Sequence, residues 1–183
     1  MEVIEFPDRA GWESWLARQH DVRTEVWLRI AKRHSGITSV TPEEAVQVAL
    51  CYGWIDGQRK TRDEVSFLQR YSRRQRRSSW SKINVARVEA LIADGRMQPA
   101  GMAQVEAAKA DGRWHAAYDS QRNAEIPDDL AAALAGDERA KAAFERLGRS
   151  ERYAVILQLL KARTDERRAQ VLERAITQLT DQE

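Results

Sequence analysis

Apolar residues in the first 82 positions repeat with two different periods. A helical period predicts helices over about residues 8–19 and 41–52. The second helix has a clear start signal, because Thr41 stands at the N-cap position, Pro42 follows it and Glu44 can close a capping box. Alternating and β-branched segments predict three strands, over residues 24–32, 53–62 and 65–73.

The chain beyond residue 82 follows the helical period alone. Its pattern predicts a helix pair over residues 83–111, a connecting loop over 112–126 and C-terminal helices over 127–179, with no further strand. The fold class is therefore predicted to be α+β, with a small antiparallel sheet covered by helices and then an all-helical C-terminal region. We expect a sheet-containing part, residues 1–82, and a helical region, residues 83–183, within one compact body.

Composition indicates a folded protein of the cytoplasm. Of the 183 residues, 43% are hydrophobic and 32% are charged, which excludes the disordered, collagenous and membrane classes. The N-terminus has neither the basic region nor the apolar run of a signal peptide, and no apolar run reaches the length of a membrane span. Cys51 is the only cysteine, which excludes an intramolecular disulfide and a CxxC zinc site and fits a reducing compartment.

Positive charge is concentrated in one short segment of a nearly neutral chain. Residues 58–82 carry nine basic and two acidic groups, whereas residues 1–57 carry six and nine, and residues 83–183 carry 15 and 17. The segment also contains Phe67, Tyr71 and Trp80 between its arginines. Guanidinium groups bind phosphates and carboxylates, and aromatic rings stack on bases, so this composition is typical of a surface for anionic polymers.

The candidate anion-binding residues are the basic side chains of this segment, chiefly Arg59, Lys60, Arg70, Arg73, Arg74, Arg76, Arg77 and Lys82. An alternative stays open, in which the segment is a solvated basic loop whose arginines pair with acidic faces of neighbouring helices. An excess of seven positive charges over 25 residues is hard to neutralise locally.

The stretch CYGWIDGQRK, residues 51–60, contains one carboxylate, Asp56, just before the basic segment. A strand period of two places Trp54, Asp56, Gln58 and Lys60 on one face. We predict that Asp56 is structural, held by backbone N–H groups or by an arginine, rather than a general base. Cys51 follows the apolar pattern of the preceding helix, which predicts a core residue rather than a nucleophile.

No cofactor or metal is predicted. The three histidines show neither HxH nor HExxH spacing, and the glycine-rich patterns GxxxxGK[ST] and GxGxxG are missing. Glu2, Glu5, Asp8 and Glu13 near the N-terminus are too sparse for a cluster of oxygen ligands.

Several segments resemble a known family. ALCYGWIDGQRK, the run from LQRYSRR through WSKIN to DGRW, and the final LLKARTDERRAQVLERAITQL are similar to the YdeI/OmpD-associated family, also labelled bacteriocin-protection proteins. The similarity weakens between about residues 115 and 145. The resemblance implies a YjbR/CyaY-like α+β superfamily fold in the N-terminal part, a helical C-terminal region and a bacterial source. It implies no established enzyme activity.

Two classes of function follow from these observations. The favoured class is a non-enzymatic binding protein that presents residues 59–82 to an anionic partner, namely nucleic acid, an anionic membrane component or an acidic protein. The family resemblance links this protein to bacteriocin or envelope stress protection. The alternative is an enzyme with a cleft between the sheet and the helical part, lined by Asp56, Trp54, Ser81 and Lys82. Residues that such a pocket would gather are Trp54, Asp56, Trp80, Ser81 and Asn84.

Overall fold

The structure is a computed structural model that describes residues 2–119 and 124–181. Its strands are β1 (Val3–Glu5), β2 (Glu25–Ala31), β3 (Trp54–Thr61) and β4 (Ser66–Arg73). Its helices are α1 (Arg9–Gln19), α2 (Pro42–Cys51), α3 (Lys82–Ala93), α4 (Pro99–Ala110), α5 (Asp128–Ala135), α6 (Glu138–Arg146), α7 (Arg149–Lys161) and α8 (Asp165–Thr180). None of these helices is both long and apolar enough to cross a membrane.

The predicted α+β class is confirmed, with one correction to the sheet. Its strand order is β1-β2-β4-β3, and β4 pairs antiparallel with both β2 and β3, as predicted. However, β1 was missed, and it pairs parallel with β2, so the sheet is mixed rather than antiparallel. A strand of three residues is too short to show a period of two. No strand follows residue 82 in the described part of the chain, as predicted.

An irregularity in β3 changes which side chains share a face. Asp56 pairs with Tyr71, but Arg59 pairs with Gln69, so the register shifts between Asp56 and Arg59. Directly paired residues point to the same side of a sheet, and β4 alternates regularly. Arg59 therefore lies on the face of Asp56, and Lys60, which pairs with Leu68, lies on the opposite face. The prediction that Lys60 shares a face with Trp54 and Asp56 is wrong because of this bulge.

Helices α1 and α2 pack on the face of the sheet that carries Trp54 and Tyr71. The Trp12 ring of α1 lies 5.4 Å from the Tyr71 ring, and Trp15 meets Trp54 edge-on at 6.1 Å. Trp12 and Trp54 are fully buried, whereas Trp15 is half-buried. Each buried indole donates to a backbone carbonyl, Trp12 to Ala45 and Trp54 to His20. These bonds satisfy the polar edge of the rings within an aromatic core.

The start of α2 forms the predicted capping box. The Thr41 hydroxyl accepts the Glu44 backbone N–H, and the Glu44 carboxylate accepts the Thr41 N–H at 2.9 Å and its hydroxyl at 2.8 Å. These bonds hold the pKa of Glu44 below its ordinary value of 4.5. Gly53, two residues after the last helical residue Cys51, has φ +74°, the left-handed conformation expected of a glycine that terminates a helix.

Internal contacts divide the chain into two units. The first comprises residues 1–80 and 84–116, and the second comprises residues 81–83 and 117–183. Helices α3 and α4 therefore belong mainly with the sheet, whereas the sequence-based division placed them in the helical region. Gly101 allows α4 to approach the end of α2, because a Cβ there would lie 2.2 Å from the Cys51 carbonyl oxygen.

The second unit buries an apolar core between α5, α6, α7 and α8. Its largest buried members are Phe144, Leu130, Leu134, Ile156, Leu159 and Leu179. Arg168 joins α8 to α5 by donating to both carboxylate oxygens of Asp129, at 2.6 and 2.9 Å. This bidentate bond lowers the pKa of Asp129.

Candidate anion-binding site

The β3–β4 hairpin separates the basic segment into two groups. Arg59 and Lys60 lie opposite Gln69 and Leu68, whereas Arg73 lies four residues further along β4, opposite Trp54. Four strand residues span about 13 Å. Arg59 and Lys60 also point to opposite faces of the sheet. The candidate anion-binding residues therefore do not form one continuous surface along the hairpin.

The side chains of the first group contact protein groups. Arg59 donates from Nε to Gln69 at 3.0 Å, and its guanidinium lies 4.2 Å from the centre of the Phe67 ring. Lys60 lies 4.6 Å above the Trp27 ring. On the face of Lys60, Arg70 forms an ion pair with Glu25. These basic side chains therefore have internal partners, but the partners lie on strands of the sheet and not on the acidic helix faces that the loop alternative expected.

Gln69 is a structural residue that the sequence did not indicate. It is buried, its amide N–H donates to the Gly57 carbonyl at 2.9 Å, and its carbonyl accepts from Arg59. The Gly57 carbonyl lies in the bulge, where the regular strand pairing is interrupted. Gln69 thus replaces a missing ladder bond with a side-chain bond.

Arg74 is a core residue rather than an exposed loop charge. It is only 6% exposed, and its guanidinium lies 3.7 Å above the Trp80 ring, which in turn meets Trp114 edge-on at 4.8 Å. Its Nη2 donates to the Ser79 carbonyl at 2.8 Å. A guanidinium stacked on an indole and bonded to a backbone carbonyl stabilises the loop that follows β4.

A tight turn directly after Arg74 presents two arginines outward. The Ser78 N–H donates to the Gln75 carbonyl at 2.9 Å, and the Ser78 hydroxyl accepts from the Gln75 N–H at 2.9 Å. Arg76 and Arg77 occupy the two central positions of this turn and are exposed. Neither side chain forms a hydrogen bond or an ion pair with any residue that the structure describes. We call residues 75–78 the arginine turn.

The predicted pocket residues are in different environments. Trp54 and Trp80 are buried in the first unit. Asn84, in α3, accepts from Arg87 at 2.9 Å. Ser81 and Lys82 belong to the second unit, where Ser81 bridges to Tyr118 and Lys82 pairs with Asp119 at 2.6 Å.

Asp56 is exposed on β3, and its carboxylate forms no hydrogen bond within the described residues. The predicted bonds to backbone N–H groups or to an arginine are therefore not formed. Its charge acts on its cross-strand neighbour Tyr71, whose pKa is raised first by burial and then by Asp56. Cys51 is buried, as predicted, and burial raises the pKa of its thiol.

A small cleft beside the start of the arginine turn was not predicted, although Trp54, one of the predicted pocket residues, lines part of it. It has a volume of about 210 Å³, and its polar lining includes His20, Asp21, Arg73 and Gln104. These residues come from the end of α1, from β4 and from α4, and are distant in sequence. No local spacing signal could have found them. We call this cavity the His20 cleft.

Comparisons with known proteins match two parts of the chain. A family model described as Domain of unknown function (DUF8412) matches residues 4–104. A second model, described as Bacteriocin-protection, YdeI or OmpD-Associated, matches residues 123–182 and confirms that resemblance in the C-terminal part. The YjbR/CyaY-like superfamily, which the resemblance implied for the N-terminal part, is not among these matches. Searches of curated proteins and of solved structures found no match.

Proposed function

The chain belongs to the DUF8412 family, which is defined by a domain of unknown function, and we propose that it is a non-enzymatic binding protein that docks on nucleic acid through the arginine turn. In this proposal the protein works in the bacterial cytoplasm. The match of residues 123–182 to the bacteriocin-protection family supports a role for this binding in bacteriocin protection. The further link to envelope stress rests on the family resemblance alone.

The proposal rests on the exposure of Arg76 and Arg77 and on their lack of a described partner. Both guanidinium groups are exposed and have no acidic partner within the described residues. An exposed guanidinium binds a phosphate through two parallel N–H donors. Two adjacent arginines in a turn that is fixed by its own hydrogen bonds can bind two anionic groups without ordering a loop.

A polymer of phosphates can bind both Arg76 and Arg77, whereas a single carboxylate can bind only one guanidinium well. Nucleic acid offers closely spaced charges in a row, and its release of counterions adds free energy for every phosphate that is neutralised. Burial of Trp80 also favours the binding class, because the enzymatic cleft that the sequence suggested would need this ring to line an open cavity.

The test is a salt titration of binding to labelled DNA and RNA, followed by fluorescence anisotropy. We expect the wild-type slope of log affinity against log salt to become shallower by roughly 1.8 in an Arg76→Gln/Arg77→Gln variant, since each phosphate contact contributes about 0.9. Arg74 stays unchanged in this variant because its loss would disturb the Trp80 core.

The matched control is Arg33→Gln/Arg174→Gln, which removes the same charge from two exposed arginines elsewhere. This control should keep the wild-type slope within the error of the measurement. Equal slopes for both double variants would contradict the proposal, as would an absence of wild-type binding at low salt. Binding to vesicles of anionic phospholipid but not to nucleic acid would overturn the assignment of nucleic acid as the partner.

A further inference from the structure

We infer that the His20 cleft is a binding site for a single phosphate group. This site is separate from the arginine turn, and the inference does not depend on nucleic-acid binding. A volume of about 210 Å³ is smaller than the roughly 300 Å³ at which sites for drug-sized ligands begin. The cleft therefore fits one small polar group rather than a large ligand.

Arg73 is held in place for such a ligand by its own Nε. That atom donates to the His20 carbonyl at 2.7 Å, and the Arg73 backbone N–H donates to the Thr24 carbonyl at 3.0 Å. The two terminal nitrogens have no partner among the described residues. They are the pair that binds two oxygens of a phosphate side by side. Because the guanidinium is already fixed, little rotamer freedom is lost on binding.

The His20 ring is also held in one orientation by contacts within the protein. Its Nδ1 lies 3.0 Å from the Leu16 carbonyl, and its ring lies 5.4 Å from the Tyr52 ring. A carbonyl only accepts hydrogen bonds, so Nδ1 carries the proton and Nε2 is the atom available to a ligand. The Gln104 amide, from α4, has no hydrogen-bond partner within the described residues and adds a donor from a third direction.

Asp21 distinguishes phosphate from other oxyanions. It is the acidic residue in the lining, opposite in charge to Arg73 and Arg74. A carboxylate repels an anion unless the anion can donate a hydrogen bond to it. Monohydrogen phosphate carries a P–OH group that donates, whereas sulfate and acetate carry no proton at neutral pH. The combination of arginine, amide and carboxylate therefore selects a protonated phosphate by its own chemistry.

The lack of a side chain at Gly53 allows α4 to lie close to the start of β3 at the cleft. Its φ is +74°, and a Cβ at this position would lie 2.9 Å from the Ala100 carbonyl oxygen and 3.2 Å from Gln104 Cγ. Only glycine allows β3 to begin this close to α4. The glycine that ends α2 thus also brings Gln104 to the cleft.

The experiment is a titration of the full chain with inorganic phosphate at constant ionic strength, by calorimetry and by the side-chain NMR signals of His20. We expect saturable binding of phosphate, with sulfate and acetate weaker by about tenfold or more. Arg73→Lys keeps the positive charge but loses the two parallel N–H donors of the guanidinium. This variant should bind phosphate more weakly by about tenfold or more. Asp21→Asn should reduce the preference for phosphate over sulfate.

Two controls separate this site from general positive charge. Arg33→Gln and Arg76→Gln/Arg77→Gln should each change phosphate affinity by less than about twofold, because their side chains do not line the cleft. If Arg73→Lys fails to fold, Gln104→Leu gives the same test, with an expected loss of about threefold or more. Non-saturable His20 shifts, equal binding of sulfate, or equal losses in all arginine variants would overturn the inference.

Discussion

Asp56 and Arg74 are charged residues of the same hairpin region in opposite environments. Asp56 lies on an exposed part of β3, and its carboxylate has no hydrogen-bond partner within the described residues. Arg74 is buried against Trp80 and donates to Ser79. Burial of a charged group is costly unless the group is bonded, so Arg74 depends on these contacts for its place in the core. The free energy of unfolding should therefore respond to Arg74 much more than to Asp56.

We predict that Asp56→Asn changes the free energy of unfolding by less than about 0.5 kcal/mol, the range of ordinary surface substitutions. This replaces the sequence-based expectation that Asp56 is a structural residue held by backbone N–H groups or by an arginine. Arg74→Gln is the matched comparison, and it should cost about 1–3 kcal/mol through the lost ring contact and backbone bond. Urea denaturation of both variants measures the difference. A loss above 1 kcal/mol for Asp56→Asn would show that the carboxylate has a structural partner.

At the scale of elements, the capping box at the start of α2 is a feature that the sequence predicts and that stabilises the folded protein. The capping box holds the pKa of Glu44 below its ordinary value, so the folded state binds the proton more weakly than the unfolded state does. The stabilisation is therefore present above the unfolded pKa and is lost as the pH falls through the folded pKa. Thr41 contributes to it through both its N–H and its hydroxyl.

We predict that Thr41→Ala lowers the free energy of unfolding by about 0.5–2 kcal/mol at neutral pH. The difference from wild type should shrink as the pH falls through the folded pKa of Glu44, because a protonated Glu44 no longer accepts strongly from the hydroxyl. Denaturation at neutral pH and at increasingly acidic pH measures this change. A difference that stays constant across that range would show that the carboxylate does not take part.

Elements with a long pattern were predictable, whereas features made by distant contacts were not. The pattern of α2 and its caps lies within about a dozen residues, and propensity, capping and apolar period agree there. By contrast, β1 has three residues and depends on its pairing with β2. The bulge in β3 is bonded by Gln69, 12 positions from Gly57. The His20 cleft likewise combines three segments, so no local pattern contains it.

At the scale of the whole molecule, most basic side chains of the segment 58–82 contact other protein groups, and only a few stay exposed without a described partner. Arg70 and Lys82 pair with acidic residues, Arg59 and Lys60 lie over aromatic rings, and Arg74 is buried in the first unit. The sequence shows where the basic residues cluster but not which of them stay exposed, because exposure depends on side-chain partners far along the chain. Arg76 and Arg77 are the members that remain exposed without a described partner.

This distribution predicts where binding will be detected along the chain. The backbone N–H groups of Arg76 and Arg77 donate to no carbonyl within the described residues, so they should exchange quickly with solvent in the free protein. We expect hydrogen exchange in peptides covering residues 74–80 to slow when DNA is added at low salt, while peptides covering α5–α8 stay unchanged. The Arg76→Gln/Arg77→Gln variant, measured at the same DNA concentration, should lose this protection. Protection confined to residues 128–180 would instead assign nucleic-acid binding to the second unit, although that unit has no excess of positive charge, since residues 81–83 and 117–183 carry 12 basic and 13 acidic groups.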